Sequence, residues 1–212
     1  MSIEFRELYR KPEEGSKNKL VVVTGISGSG KDYLLSEFAK TDYRIGTAIS
    51  VVNFGELLFS RLRQVDPGND MVASRDDLNR SVSQDVIRVL VNSVVDEVIA
   101  RQPAIVNAHV AYMQQGSIQI NPDVVRKMAV TSFVYVWSDP ELIAEWRKND
   151  HGRRRDPETP KDIILHQRIA LESTRIIAET LGSGFRSLYN RTDNILENIS
   201  KLQEVVEDIG VK

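Results

Sequence analysis

The chain has 212 residues, with 28 basic side chains against 30 acidic ones, 41% hydrophobic content and no cysteine. That length supports one large domain with an adequate core, and the missing cysteines exclude disulfides, a thiolate nucleophile and cysteine-held zinc or iron–sulfur centres. A net charge of −2 argues against an overall polyanion binder, and no apolar run approaches the roughly 18 residues of a membrane span.

Residues 1–18 are polar and carry Pro12 and Gly15, the composition of a flexible leader, with 19–212 expected as the domain. The charged stretch Met1–Lys19 lacks the apolar core of a secretory signal, so a cytoplasmic location is expected. Leu20–Thr24 is an apolar, β-branched run ending at Gly25, the pattern of a buried strand. Tyr33–Lys40 reads as a helix and Gly46–Asn53 as a second strand. Phe54, Leu57, Leu58, Leu62 and Val65 recur at helical spacing until Asp66-Pro67-Gly68 stops them. A long helix is predicted from about Arg75 to Arg101, and a short strand at Ala104–Asn107. Residues 112–130 give no clear period. Phe133–Trp137 is an apolar strand, followed by helices at about Pro140–Lys148 and Ile163–Leu181. Phe185–Tyr189 reads as the last strand, with Asp193 capping a final amphipathic helix. Apolar strands alternating with helices specify an α/β fold whose parallel sheet is covered on both faces.

Between the first strand and first helix lies Gly25-Ile-Ser-Gly-Ser-Gly30-Lys31-Asp32, which matches G-x-x-x-x-G-K except that Asp32 stands where Ser or Thr is usual. Glycines at 25, 28 and 30 permit a tight turn whose N–H groups converge on phosphate oxygens. The helix that follows adds the partial positive charge of its N-terminus. Lys31, expected to be exposed, would bridge the β- and γ-phosphates of a nucleoside triphosphate. Asp32 has two readings. It is a hard oxygen ligand for Mg²⁺, standing in for an acid missing from the third strand, which ends in Asn107; or it merely caps the helix, where acids are favoured.

Arg147–Asp156 holds five basic and two acidic side chains and follows a strand and its helix. In a parallel sheet that position lies at the carboxyl edge, where ligands bind. Its arginines would close over a transferring phosphoryl group; a solvated charged loop is the plain alternative. A nucleic-acid partner is not expected, because no comparable basic stripe occurs elsewhere. His151 and His166 lack a second ligand at metal spacing. His109 reads as a hydrogen-bonded packing residue or a general base, while Trp137 and Trp146 read as packing residues, Trp146 also as a platform for a base.

Together these features resemble the P-loop nucleoside monophosphate kinases, most closely the archaeal-type adenylate kinases, over about residues 19–208. The resemblance runs through Val21–Gly25 and the loop, Val52-Asn-Phe-Gly55, Ser74-Arg75-Asp76 with Arg80, and Asn107-Ala-His109 where the family has Asp-Thr-His. It continues through Arg147, Arg153, Arg155 and Asp156, Thr159, His166-Gln167 and Asn190-Arg191. It implies a P-loop NTPase fold with about five parallel strands and a short arginine-rich lid at about 147–158. It further implies Mg²⁺-dependent reversible transfer of the ATP γ-phosphoryl group to a nucleoside monophosphate, AMP above others, and family members are often trimeric. Gly25, Ser27, Gly28, Ser29, Gly30, Lys31, Asp32 and Tyr33 would hold the donor, with Asp32 near Mg²⁺. Arg75 and Arg80 would take the acceptor phosphate, or are ordinary helix-surface arginines. Lys31, Arg147, Arg153 and Arg155 would stabilise the moving charge. A kinase for another monophosphate or small phosphorylated metabolite, and an ATP-binding switch or slow ATPase, are the competing readings.

Overall fold

The computed structural model describes residues 17–66, 82–114, 117–120, 122–150 and 158–211. Its centre is a five-stranded parallel sheet built from β1 (Asn18–Thr24), β2 (Ser50–Asn53), β3 (Ala104–Asn107), β6 (Val130–Trp137) and β7 (Gly184–Tyr189), in the order β2-β3-β1-β6-β7. A separate antiparallel hairpin joins β4 (Ala111–Gln114) to β5 (Ser117–Ile120). The helices are α1 (Lys31–Ala39), α2 (Asp42–Thr47), α3 (Phe54–Val65), α4 (Gln84–Ala100), α5 (Pro122–Met128), α6 (Pro140–Asn149), α7 (Pro160–Leu181) and α8 (Ile195–Asp208).

Successive strand residues face opposite sides of a sheet, and the core divides accordingly. Leu20, Val22, Val106 and Phe133 pack with Val94, Val95 and Val98 of α4 and Ile177 of α7. Val21, Val23, Ile105, Val134 and Val136 pack with Leu34, Leu35 and Phe38 of α1 and Leu202 and Val206 of α8. Both faces of the central strands are dry, which is why those strands read as continuous apolar runs. Each fully buried side chain of this kind contributes about 1.5–3 kcal/mol relative to exposure.

Register places the chemistry. Val23 pairs with Asn107, and Asn107 with Asn53, so the carboxyl ends of β1, β2 and β3 lie side by side. Thr24 pairs with Tyr135, and Trp137 with Tyr189, bringing the ends of β6 and β7 to the same edge. Every loop that leaves those ends therefore opens onto one rim.

Several boundaries differ from the sequence pattern. The first helix begins at Lys31, two residues early, because Gly30 is its N-cap in the left-handed region at φ 81°. The second strand starts at Ser50; Gly46 belongs to α2, and the chain turns out of that helix through Ala48 at φ 52°. Asn194, not Asp193, occupies the N-cap of α8. Its side chain ties the preceding turn instead, accepting from Arg191 N–H and donating to the Tyr189 carbonyl, while Asp193 pairs with Arg191. The unassigned segment 112–130 holds the hairpin and α5. Helix α7 starts three residues early because Thr159 and Asp162 form a reciprocal capping box ahead of Pro160.

Candidate active site

The loop from Gly25 to Gly30 is pinned below by Ile26, which is 1% exposed and packs with Tyr135, Ile143 and Ile163. Three side chains from distant parts of the chain then hold alternate loop carbonyls. His109 Nδ1 lies 2.9 Å from the Gly25 oxygen. Arg147 donates to the Ser27 oxygen from Nε at 2.9 Å and Nη2 at 2.6 Å. Asn190 donates to the Ser29 oxygen at 3.1 Å. In a planar trans peptide the carbonyl and the next N–H point in opposite directions. With carbonyls 25, 27 and 29 held by these side chains, the N–H groups of Ile26, Gly28 and Gly30 point away from His109, Arg147 and Asn190 respectively.

Close approach explains two of the glycines. A Cβ on Gly28 (φ 85°) would lie 2.9 Å from Arg147 Cγ, and one on Gly30 (φ 81°) would lie 2.2 Å from Asn190 Nδ2. At Gly28 and Gly30 the residues that hold the loop are thus the ones that leave no room for a side chain.

Lys31 is 3% exposed, contrary to the expectation of an exposed lysine. It is the first residue of α1, lines the cavity beside the loop, and has its ammonium 3.8 Å from Asp32 Oδ1. Asp32 does not cap α1, whose N-cap is Gly30 with no side-chain cap bond; it lies in the first turn, and its Oδ1 accepts from the amide of Asn107 at 2.7 Å. Asn107 is 7% exposed at the end of β3. The two positions that depart from the family pattern are therefore in direct contact. Ser29 Oγ is buried with no partner among the described residues.

A cavity of about 590 Å³ opens beside the loop, lined by Gly28, Gly30, Lys31, Asp32, Tyr33, Trp146, Asp150, Asn190, Arg191 and Thr192. Its size falls within the ordinary range for small-molecule sites. Trp146 reaches this cavity, whereas Trp137 lies against Tyr189 with ring centroids 4.4 Å apart and is 37% exposed, not a core residue. Sequence reasoning assigned no role to Asn190, Arg191 or Thr192; their position directly after the last strand's carboxyl end was the available signal.

Arg147 carries a second partner, Glu158, through Nη1. Glu158 in turn lies 3.5 Å from His166 Nδ1. Burial holds His166 below its ordinary value of 6.5; Arg147 pushes it the same way and Glu158 opposes both. Glu158 was not anticipated, since nothing local distinguishes it. Arg75, Arg80, Arg153 and Arg155, with most of the expected lid, lie outside the described residues, as does His151.

No group of three or more His, Cys, Asp or Glu suited to a metal occurs among the described residues. The described carboxylates lining the cavity are Asp32, in the first turn of α1, and Asp150 at the end of α6. Mg²⁺ is ordinarily held by one or two carboxylates plus substrate phosphate oxygens and water, so these residues fit that ion when it arrives with a nucleotide. No helix among the described residues is long and apolar enough to cross a membrane.

A glycine loop with its lysine, joining the first strand and first helix of this parallel sheet, defines a P-loop NTPase fold. The AAA domain family model matches residues 24–164. The adenylate kinase of Thermoplasma acidophilum is 31% identical over 150 residues, covering 70% of this chain and 76% of that protein. The adenylate kinase of Methanococcus aeolicus is 24% identical over 194 residues, 90% of this chain and 98% of that one. The chain belongs to the family of archaeal adenylate kinases and is a phosphotransferase. Shikimate kinase from Bacteroides thetaiotaomicron shares the fold, with a TM-score of 0.57 at 14% identity over 89% of this chain and 98% of that one.

Proposed function

We propose that this chain transfers the γ-phosphoryl group of ATP reversibly to a nucleoside monophosphate, and that AMP is the acceptor. The observation that carries the reading is the loop itself: its alternate carbonyls are held by His109, Arg147 and Asn190, and Gly28, Gly30 and Lys31 line a cavity of about 590 Å³. Kinship with adenylate kinases supports the choice of acceptor.

In the forward direction an oxygen of the acceptor phosphate forms a bond to the γ-phosphorus. The bond from γ-phosphorus to the β–γ bridging oxygen breaks, and its electron pair leaves with ADP. The transition state is largely dissociative, so positioning and charge stabilisation are what the protein supplies. The N–H groups of Gly28 and Gly30 and the Lys31 ammonium hold the donor phosphates. Asp32 would hold Mg²⁺, which neutralises charge across those phosphates when bound. Trp146 and Arg191 flank the cavity where the donor base sits. Arg153 and Arg155 stabilise the moving charge, Arg147 holds the loop through the Ser27 carbonyl, and Arg75 and Arg80 take the acceptor phosphate. The acceptor phosphate is ionised at neutral pH and needs no base, which leaves His109 to hold the Gly25 carbonyl.

A coupled assay with ATP and AMP, CMP, UMP, GMP or dTMP tests the proposal. Turnover highest with AMP is expected. Preference for another monophosphate would correct the acceptor, and ATP hydrolysis indifferent to every acceptor would replace the kinase reading with a switch.

A further inference from the structure

The Asp32–Asn107 contact carries an inference that rests on the donor-site reading above. We infer that the carboxylate for the nucleotide-borne cation has moved across a hydrogen bond, from the third strand to the first turn of the helix, and that Asn107 is the positioning residue that orients it. Carboxylate and amide are near isosteres, and here they face each other at 2.7 Å from elements 75 residues apart in sequence. Asn107 is buried at the end of β3, while Asp32 lines the cavity.

Positions 32 and 107 have room for one carboxylate between them. Were position 107 also acidic, two negative charges would meet at hydrogen-bond distance, and one would be forced to keep its proton. With Asn107 as donor, one Asp32 oxygen is fixed by the amide, which sets the plane of the carboxylate that faces the cavity. Asp32 also makes nucleotide binding conditional. Its negative charge repels bare phosphate oxygens and attracts a cation bridging to them, so ADP affinity depends on the divalent ion.

The test measures ADP affinity by calorimetry with MgCl₂ and with EDTA, for the wild type and for Asp32→Asn, Asn107→Asp and the double variant Asp32→Asn/Asn107→Asp. Thermal melts run alongside. In the wild type Mg²⁺ should tighten ADP. Asp32→Asn should cut that gain about tenfold or more while binding ADP in EDTA at least as well as the wild type. The double variant, which restores one carboxylate bonded to one amide, should recover most of the gain, and Asn107→Asp alone should melt lower than either. An Asp32→Asn protein that keeps the full Mg²⁺ gain, or a double variant no better than Asp32→Asn, overturns the inference. Wild type that binds ADP equally with and without Mg²⁺ overturns it too, while leaving the nucleotide site standing. Wild type that binds no ADP in either condition overturns the donor-site reading along with it.

Discussion

Arg147 grips the carbonyl of Ser27 with two donors of one guanidinium while its third nitrogen is committed to Glu158. The side chain thereby ties the last turn of α6 to the phosphate loop and to the start of α7. Only a planar fork spans those two acceptors at once; an ammonium is a single point charge.

Replacing Arg147 by lysine should therefore not be conservative. Turnover in a coupled ADP assay is expected to fall by about 10²-fold, the usual consequence of losing one preorganised donor. An unchanged kcat would make Arg147 a packing part of the loop and nothing more.

Lys31 poses a sharper test because it is buried. Lys31→Met keeps the aliphatic stem and removes the ammonium. The melting temperature should hold, since a desolvated charge is traded for an apolar group of similar length, and kcat should drop by at least about 10²-fold. Full activity in the folded variant would remove the lysine from the donor site.

Gly30→Ala combines two faults, a left-handed φ of 81° and a Cβ 2.2 Å from Asn190 Nδ2. Strain of about 1–3 kcal/mol is expected at such a position, seen as a lower thermal midpoint together with weakened ADP binding by calorimetry. A variant that melts and binds like the wild type would mean the loop tolerates a different path.

His166 sets a pH dependence of stability. Its folded-state value lies below the ordinary 6.5, chiefly through burial. Between the two values the unfolded chain binds a proton that the folded one does not, so stability is full above 6.5 and declines as pH falls toward the folded value. Melts from about pH 8 to pH 5 should show that decline, and His166→Gln should flatten it. The same slope in the variant would assign the effect to other groups.

How much of this was legible beforehand follows from the range of each interaction. The apolar runs at Leu20–Thr24, Ala104–Asn107 and Phe133–Trp137 announced buried parallel strands, because strand burial on both faces leaves no alternation to confuse them. The glycine loop with Lys31 announced a phosphate site, because turn, amides and helix start are contiguous in the chain. The stretch 112–130 stayed unread: a four-residue hairpin strand and a seven-residue helix are each shorter than the windows over which periodicity emerges.

Local chemistry, then, was enough for the sheet and for the glycine loop between its first strand and first helix. What folding alone decided is which distant atoms meet there: Asn107 with Asp32, Arg147 with Ser27 and Glu158, Asn190 with Ser29. Those contacts depend on parallel register and on helices returning across the sheet. They join residues up to 161 positions apart, a distance over which neighbouring side chains along the chain carry no information about partners in space.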